Sequence, residues 1–282
     1  MKRTDLTNDE YRRADGIANS ELKLIERNPS DIIWARHAPR DNSKAVTADF
    51  GTALHCLLLE PDVFNDLVLV SSVKGRMTKA FEEEQLNNPS NIVLTADEVE
   101  KVKIMAASVK AHPMANYLLN LEGNCESSVF AECPNTGILL KCRPDKDCST
   151  VINAAIDVKT TASLEDWRSD LRWKNPLFAY DYGHQAAFYL HVLSLHYGFD
   201  VENFTFIAVQ KTVEMGRYPV GVFTVNREQL EAWGFWSRML NNINQYSERT
   251  KANNWMECET FHFEYEHFDN DVEVVWEGDD NA

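Results

Sequence analysis

The 282-residue chain lacks any apolar run long enough to span a membrane, although 44% of its residues are hydrophobic. Residues 1–10 also lack the apolar stretch of a secretory signal. A chain of this length can bury a sizeable core. We therefore expect a cytoplasmic globular protein, with one domain over residues 1–256 and a tail over residues 257–282.

Paired cysteines are also missing. The six cysteines form no Cys-x-x-Cys pair and no cluster with the spacing of a zinc site. We expect reduced structural thiols and no iron–sulfur cluster. The chain further lacks the Gly-x-x-x-x-Gly-Lys signature of a phosphate-binding loop, so we expect it to act without a motor of its own.

Basic residues are scarce, with 28 Lys and Arg against 44 Asp and Glu and a net charge of −16. Residues 257–282 contain ten acidic and no basic residues, so −10 of this charge belongs to the tail and −6 to the rest. Such a chain repels polyanions unless cations are locally concentrated. One such concentration comprises Lys141, Arg143, Lys146, Lys159, Arg168, Arg172 and Lys174.

Two carboxylates and a lysine dominate the middle of the chain. Arg143-Pro144-Asp145 is followed, after eleven residues, by Asp157-Val158-Lys159. Strand alternation would place Asp157 and Lys159 on one face and the apolar neighbours of Asp157 on the other. A few carboxylates plus substrate phosphate suffice to hold Mg²⁺. The spacing predicts a magnesium-dependent nuclease, in which Lys159 orients the attacking water or neutralises charge on phosphorus. The alternative is a surface hairpin with ordinary Asp and Lys residues.

Two helical segments carry further candidate residues. The segment 51–61 is predicted to be a helix that ends near Pro61, and His55 in it is either a metal ligand or a histidine satisfied within the core. The segment 183–197 is strongly helical, and Gln185 and Tyr189 share one stripe of it. Their alternative interpretation is a solvated Gln and a Tyr at the edge of the core.

Together these motifs resemble the nuclease domain of RecE-type exonucleases, also called exonuclease VIII, within the PD-(D/E)xK group of RecB-like nucleases. The resemblance covers most of the chain and keeps the order and spacing of the family's motifs. The segments that carry it are Ser20-Glu21-Leu22-Lys23, Gly51-Thr52-Ala53-Leu54-His55, Glu126-Ser127-Ser128, Arg143-Pro144-Asp145-Lys146, Asp157-Val158-Lys159-Thr160-Thr161, Gln185-Ala186-Ala187-Phe188-Tyr189 and Gly216-Arg217-Tyr218-Pro219.

The resemblance implies an α/β (α+β) fold with a PD-(D/E)xK restriction-endonuclease-like core, a mixed central sheet flanked by helices. It implies 5′-to-3′ digestion of linear double-stranded DNA, leaving 3′ single strands for annealing or recombination, with Mg²⁺ as cofactor and Mn²⁺ as a substitute. The catalytic residues that it implies are Lys159, Asp157, Asp145 and Glu126. The implied metal ligands are His55, Asp145, Asp157 and Val158, and the implied DNA contacts are Gln185, Tyr189, Arg143, Lys146 and Thr160.

The resemblance also implies partners: a homo-oligomeric ring, typically a tetramer, and a single-strand annealing protein. Two other functions stay open, a catalytically silent DNA-binding or assembly protein on the same fold, and an endonuclease or single-strand nuclease. The tail, which mixes aromatic with acidic residues, is predicted either to pack on the domain or a neighbouring subunit, or to dock a partner or mimic DNA.

The pattern of the chain predicts a helical region over residues 20–121, including a helix that begins with the capping box Thr95-Ala96-Asp97-Glu98. Strands are predicted near 124–132, 137–143, 152–160, 203–210 and 217–225. Helices are predicted near 163–172, 183–197 and 227–250.

Overall fold

The computed structural model describes residues 1–37 and 45–255. The tail over residues 257–282 lies outside the described residues, so the predictions about its packing or docking stay predictions. Within the described ranges, no helix combines the length and the apolar character that crossing a membrane requires. The five cysteines of these ranges have free thiols.

The helices surround the sheets on both sides. Those of the N-terminal half are α1 Asn8–Arg13, α2 Asn19–Leu22, α3 Leu24–Arg27, α4 Ser30–His37, α5 Ala45–Leu59, α6 Phe64–Leu67, α7 Lys79–Asn87, α8 Ala96–Ala111 and α9 Pro113–Asn120. Those of the C-terminal half are α10 Ser149–Ile152, α11 Pro176–Ala179, α12 Tyr182–Tyr197, α13 Arg227–Ala232 and α14 Phe235–Ala252.

Ten strands form three sheets within the described residues. The strands are β1 Lys2–Arg3, β2 Val68–Val70, β3 Ile92–Leu94, β4 Asn124–Cys125, β5 Ser128–Glu132, β6 Leu139–Cys142, β7 Lys146–Cys148, β8 Ala154–Thr161, β9 Asn203–Gln210 and β10 Val220–Asn226. The central sheet has the order β10-β9-β8-β7-β4, in which only β8 and β9 pair in parallel. A second, antiparallel sheet has the order β1-β5-β6, and β2 pairs with β3 in parallel.

The central and second sheets meet at a fork. The segment that contains β4 and β5 passes from one sheet to the other at residues 126–127, and the segment that contains β6 and β7 does so at 143–145. Glu126 has a left-handed backbone, with φ of 48°, and Pro144 has no amide hydrogen for a ladder. Because the β7–β8 ladder ends at Lys146 and Ile156, the second half of β8 borders the opening of the fork.

Two hydrophobic clusters cover the two faces of the central sheet. Ile156 and Val158 of β8 belong to the cluster formed with α5, α8 and α9. Ala155, one residue along the same strand, belongs to the cluster formed with α12, α14 and the second sheet. The alternation predicted for β8 is therefore confirmed, and the two faces of this strand point into different layers of the molecule.

Several predicted elements are confirmed. The helix that begins at the capping box is α8, in which Thr95 accepts from the Glu98 amide and Glu98 binds back to the Thr95 amide. The helix predicted over 51–61 is α5, which ends before Pro61 but begins earlier, at Ala45. The predicted helical region over 20–121 is interrupted by β2 and β3.

Other predicted elements were wrong in extent. The strand predicted over 124–132 is two strands in two sheets, and the strand β7 was not predicted at all. The helix predicted over 163–172 is a three-residue 3-10 turn, Asp166–Arg168. Its flanking serines accept hydrogen bonds from nearby amides, which competes with helix formation. The helix predicted over 227–250 is broken into α13 and α14 at Gly234, where φ is 84°.

Candidate active site

Asp145 lies at the fork, where its side chain is hydrogen-bonded to the backbone of β8. Its Oδ2 atom accepts a hydrogen bond from the Val158 amide at 2.6 Å and lies 3.3 Å from Nδ1 of His55. The Val158 amide needs this partner because β7 has separated from β8 at that level. His55 comes from α5, whose Ala53 and Leu54 pack in the same cluster as Val158.

Asp157 and Lys159 lie together on the opposite face of β8. The Lys159 Nζ atom is 2.6 Å from Oδ2 of Asp157, and Gln185 donates to Oδ1 of Asp157 at 2.9 Å. The side chain of Asp157 is 3% exposed and that of Lys159 is 20% exposed. Burial favours the neutral amine, but the charges of Asp157 and Asp145 outweigh it and raise the pKa of Lys159. Lys159 is therefore a cation in this arrangement.

Glu126 completes a group of three side chains that could hold a metal ion. One ligand atom each from His55, Glu126 and Asp145 lies within 4.8 Å of the others. Burial, and then the charge of Asp145, raise the pKa of Glu126 to about 7, against the opposing effect of Arg143. The Arg143 Nε atom donates to Oε2 of Glu126 at 2.9 Å. Asp157 is not in this group of three. Lys159 and Gln185 contact its two oxygens, and its predicted role as a metal ligand stays a prediction.

These three side chains fit a hard divalent cation. Burial, and then the charge of Asp157, raise the pKa of Asp145 well above its usual range. Burial lowers the pKa of His55, so its imidazole is neutral, which is the form that binds metals. Because a bound cation favours the ionised carboxylates, its binding would oppose these increases in pKa. The Val158 amide donates to Asp145, so the predicted ligand Val158 adjoins the same group.

The site opens into a groove of about 1490 Å³ within the described residues. His55, Glu126 and Asp145 line it, and so do Gln185 and Tyr189 from α12. The predicted shared stripe of Gln185 and Tyr189 is confirmed. Their predicted contact with DNA stays a prediction, and Gln185 additionally fixes the orientation of the Asp157 carboxylate.

Two of the predicted DNA contacts, Lys146 and Thr160, are not among the residues that line the groove, and their contact with DNA stays a prediction. Lys146 is only 4% exposed, and its Nζ atom donates to the Leu119 carbonyl at 2.6 Å. Thr160 follows the alternation of Ile156 and Val158, so it lies on the face of β8 opposite Lys159. Charge and strand propensity could not show that Lys146 binds a helix terminus instead of facing solvent.

Arg143 lines the groove, but other groups already hold its guanidinium. Besides Glu126, it contacts the Leu6 carbonyl at 3.0 Å and the Ser128 hydroxyl at 3.2 Å. Arg143 therefore has a structural role in this arrangement, and its predicted contact with DNA stays a prediction. It joins the two crossing segments of the fork to the N-terminal part of the chain.

One residue of the site was missed in the sequence. The ring centre of Tyr182 lies 5.0 Å from the Lys159 ammonium, and the ring stacks on Phe206. Tyr182 precedes Gln185 by three positions, so it lies on the same stripe of α12. The spacing of three between Tyr182 and Gln185 could have identified Tyr182 in the sequence. The structure shows in addition that this stripe of α12 faces Lys159.

Replacing His55 with alanine is expected to weaken metal affinity rather than to abolish cleavage at saturating metal. The change removes one neutral ligand and leaves Glu126 and Asp145 in place. We expect the Mg²⁺ midpoint of DNA cleavage to rise by about tenfold or more, consistent with one lost ligand interaction. Titrating Mg²⁺ against the cleavage rate measures this. Failure at every Mg²⁺ concentration in a folded variant would indicate a role beyond metal binding.

Comparison with known proteins supports the fold assignment. The model of a family described as "PDDEXK-like domain of unknown function (DUF3799)" matches residues 19–261. No curated protein matches the chain. The fold is similar to a crystal structure described as a "Putative exonuclease" from Eubacterium rectale, with a TM-score of 0.58 and 12% identity over 89% of this chain and 88% of that chain. The predicted mixed sheet flanked by helices, in a PD-(D/E)xK-like core, is confirmed.

Proposed function

The chain belongs to the PDDEXK-like domain family, and on that premise we propose that it is a divalent-metal-dependent nuclease that hydrolyses DNA. The observation that carries this proposal is the grouping of His55, Glu126 and Asp145 within 4.8 Å. Beside this group, Lys159 is held as a cation on Asp157. A ligand set next to a fixed positive charge suits chemistry at a phosphodiester.

A bound divalent cation supplies Lewis-acid activation of the phosphate and lowers the pKa of a bound water. Glu126 and Asp145 would provide anionic oxygen donors, and His55 a neutral nitrogen donor. The Lys159 ammonium would neutralise the negative charge that develops on the phosphate oxygens, or orient the attacking water. Because Gln185 holds the second oxygen of Asp157, the Asp157–Lys159 pair keeps one orientation.

We further propose that the substrate is linear duplex DNA, digested from its 5′ ends to leave 3′ single strands, with Mg²⁺ preferred and Mn²⁺ as a substitute. The support is the resemblance of the motifs around His55, Asp145 and Lys159 to RecE-type exonucleases. The Eubacterium rectale protein of similar fold is described as a "Putative exonuclease". The family match concerns the wider PDDEXK-like group, so the RecE-type assignment, the ring-shaped oligomer and the annealing partner stay predictions.

The direct test compares 5′-phosphorylated linear duplex DNA with the same DNA as covalently closed circles. We expect Mg²⁺-dependent loss of the linear form, complete inhibition by a chelator, and circles that persist. A 3′-labelled and a 5′-labelled strand, analysed in parallel, report the direction of digestion. Mn²⁺ is expected to replace Mg²⁺.

The outcomes of this test separate the candidate functions. Circles cut as fast as linear DNA would replace the exonuclease with an endonuclease, and digestion of single strands alone would indicate a single-strand nuclease. A folded protein that binds DNA but digests neither form would instead be a catalytically silent DNA-binding protein. The Asp145→Asn variant, which changes one residue of the metal-ligand group, provides the negative control.

A further inference from the structure

The cations that line the groove are mostly engaged within the protein. Lys141 is almost fully buried, and its Nζ atom contacts the carbonyls of Tyr11, Arg12 and Ala14 at 3.3, 3.2 and 2.6 Å. Arg143 is held by Glu126 and by the Leu6 carbonyl. Both side chains thus serve the fold, and neither is available to a polyanion in the groove.

A third groove-lining cation, Arg36, is also engaged. Arg36 forms an ion pair with Glu21 at 2.9 Å and donates to the Tyr246 hydroxyl at 3.2 Å. Its charge is therefore balanced locally. Carboxylates that line the same groove include Asp5, Asp15 and Glu60. A DNA strand that reached the metal-ligand group would therefore find none of these three cations free along the groove.

Among the described cations that line the groove, Arg12 and Arg13 are the exception. Both line the groove and both are exposed. In the ranges 1–37 and 45–255, neither guanidinium has an ion pair or a hydrogen bond. Basic residues in a last helical turn commonly interact with the helix's own terminal carbonyls. Here Lys141 already occupies the end of α1, so Arg12 and Arg13 have no such role.

The segment that carries these two arginines, residues 4–18, is the N-terminal arm of the groove. Thr7 and Glu10 form a capping box at the start of α1. Beyond α1, the Ile17 amide donates to the Leu139 carbonyl at 2.9 Å. The Ile17 carbonyl accepts from the Lys141 amide at 2.9 Å. The arm is therefore attached to β6, which fixes the backbone that carries Arg12 and Arg13 beside the site.

We propose that Arg12 and Arg13 contact the backbone phosphates of the DNA strand in the groove, so that the N-terminal arm is part of the substrate-binding site. The proposal rests on the proposed nuclease function, because it takes DNA as the occupant of the groove. It assigns the positive charge that substrate binding requires to the arm, and not to the basic residues of the fork.

The test is DNA binding by the full chain with Arg12→Gln and Arg13→Gln combined. Fluorescence anisotropy with a 5′-phosphorylated duplex, with Ca²⁺ in place of Mg²⁺, gives Kd as a function of salt concentration. We expect Kd to rise about tenfold or more, and the slope of log K against log salt to become shallower by about two, one for each lost phosphate contact. The combined Arg12→Lys and Arg13→Lys variant should recover most of the affinity.

The matched control is Lys103→Gln combined with Lys110→Gln. It removes the same charge from the exposed face of α8, away from the groove. This control should keep the wild-type Kd and salt slope. Thermal melting shows that each variant is folded, which is expected because all four side chains are exposed.

Three results would overturn the proposal. A wild-type Kd and salt slope in the Arg12 and Arg13 variant would remove the arm from the binding site, while wild-type cleavage would leave the proposed nuclease intact. An equal loss of DNA affinity in the Lys103 and Lys110 control would show that only the net charge of the protein matters. A wild-type protein that neither binds nor cleaves DNA would remove the proposed function and this proposal together.

Discussion

Replacing Asp145 with asparagine is expected to lower the rate of metal-dependent DNA cleavage by about hundredfold or more, or roughly 3 kcal/mol of barrier. Asparagine has nearly the same shape, and its amide oxygen can still accept from the Val158 amide. What it removes is the negative charge next to His55 and Glu126. The variant therefore tests the charge of the ligand while leaving the fork in place.

Two measurements check this prediction. Single-turnover cleavage of linear duplex DNA gives the rate, and a Mg²⁺ titration gives the midpoint, which we expect to rise. Asp15→Asn is the matched control, because Asp15 lines the same groove, is exposed and is not part of the ligand group. A melting temperature close to that of the wild type is expected without metal, because asparagine keeps the shape of the side chain and the hydrogen bond from the Val158 amide. Wild-type cleavage by the Asp145 variant would contradict the proposed site.

Replacing Lys159 with methionine is expected to lower the cleavage rate by a similar factor, about hundredfold or more, with a small change in the Mg²⁺ midpoint. Methionine keeps much of the length of the side chain and its packing against Tyr182, but it lacks the ammonium. The charge that would stabilise the phosphate in the transition state is gone, while His55, Glu126 and Asp145 are unchanged.

The split between rate and metal midpoint distinguishes this variant from the Asp145 variant. Lys103→Met serves as the control, because Lys103 is an exposed cation on α8 and does not line the groove. Removing Lys159 also leaves Asp157 buried with Gln185 as its remaining contact, so we expect a lower melting temperature. A Lys159→Met enzyme that cleaves at the wild-type rate would exclude Lys159 from the mechanism.

The two faces of β8 and the start of α8 could be predicted from the local sequence pattern. The alternation of β8 separated Asp157 and Lys159 from Ile156 and Val158, because successive side chains of a strand point to opposite faces. The capping box at Thr95 correctly placed the start of α8, since its two hydrogen bonds involve only four consecutive residues. Interactions between residues that are only a few positions apart can therefore be predicted from the sequence.

The fork could not be predicted in the same way. A single strand over 124–132 satisfied the pattern of that segment, yet its two halves pair with β7 and with β1 and β6. The left-handed backbone of Glu126 makes this change of sheet, and the Glu126 amide donates to the Asp145 carbonyl at 3.1 Å. That pairing joins residues far apart in the chain, so neither segment shows it alone.

The sequence by itself determined the types of chemical group and their local order: the carboxylates, the lysine two residues after Asp157, and the histidine on α5. Only the tertiary structure decided which charges are free. Lys141 was counted among the cations near the site and Arg143 was predicted to contact DNA. Carbonyls of the N-terminal arm, more than 120 residues away in sequence, hold both of them. A charged side chain takes the partner that the fold brings within hydrogen-bond distance, and that partner is set by long-range packing.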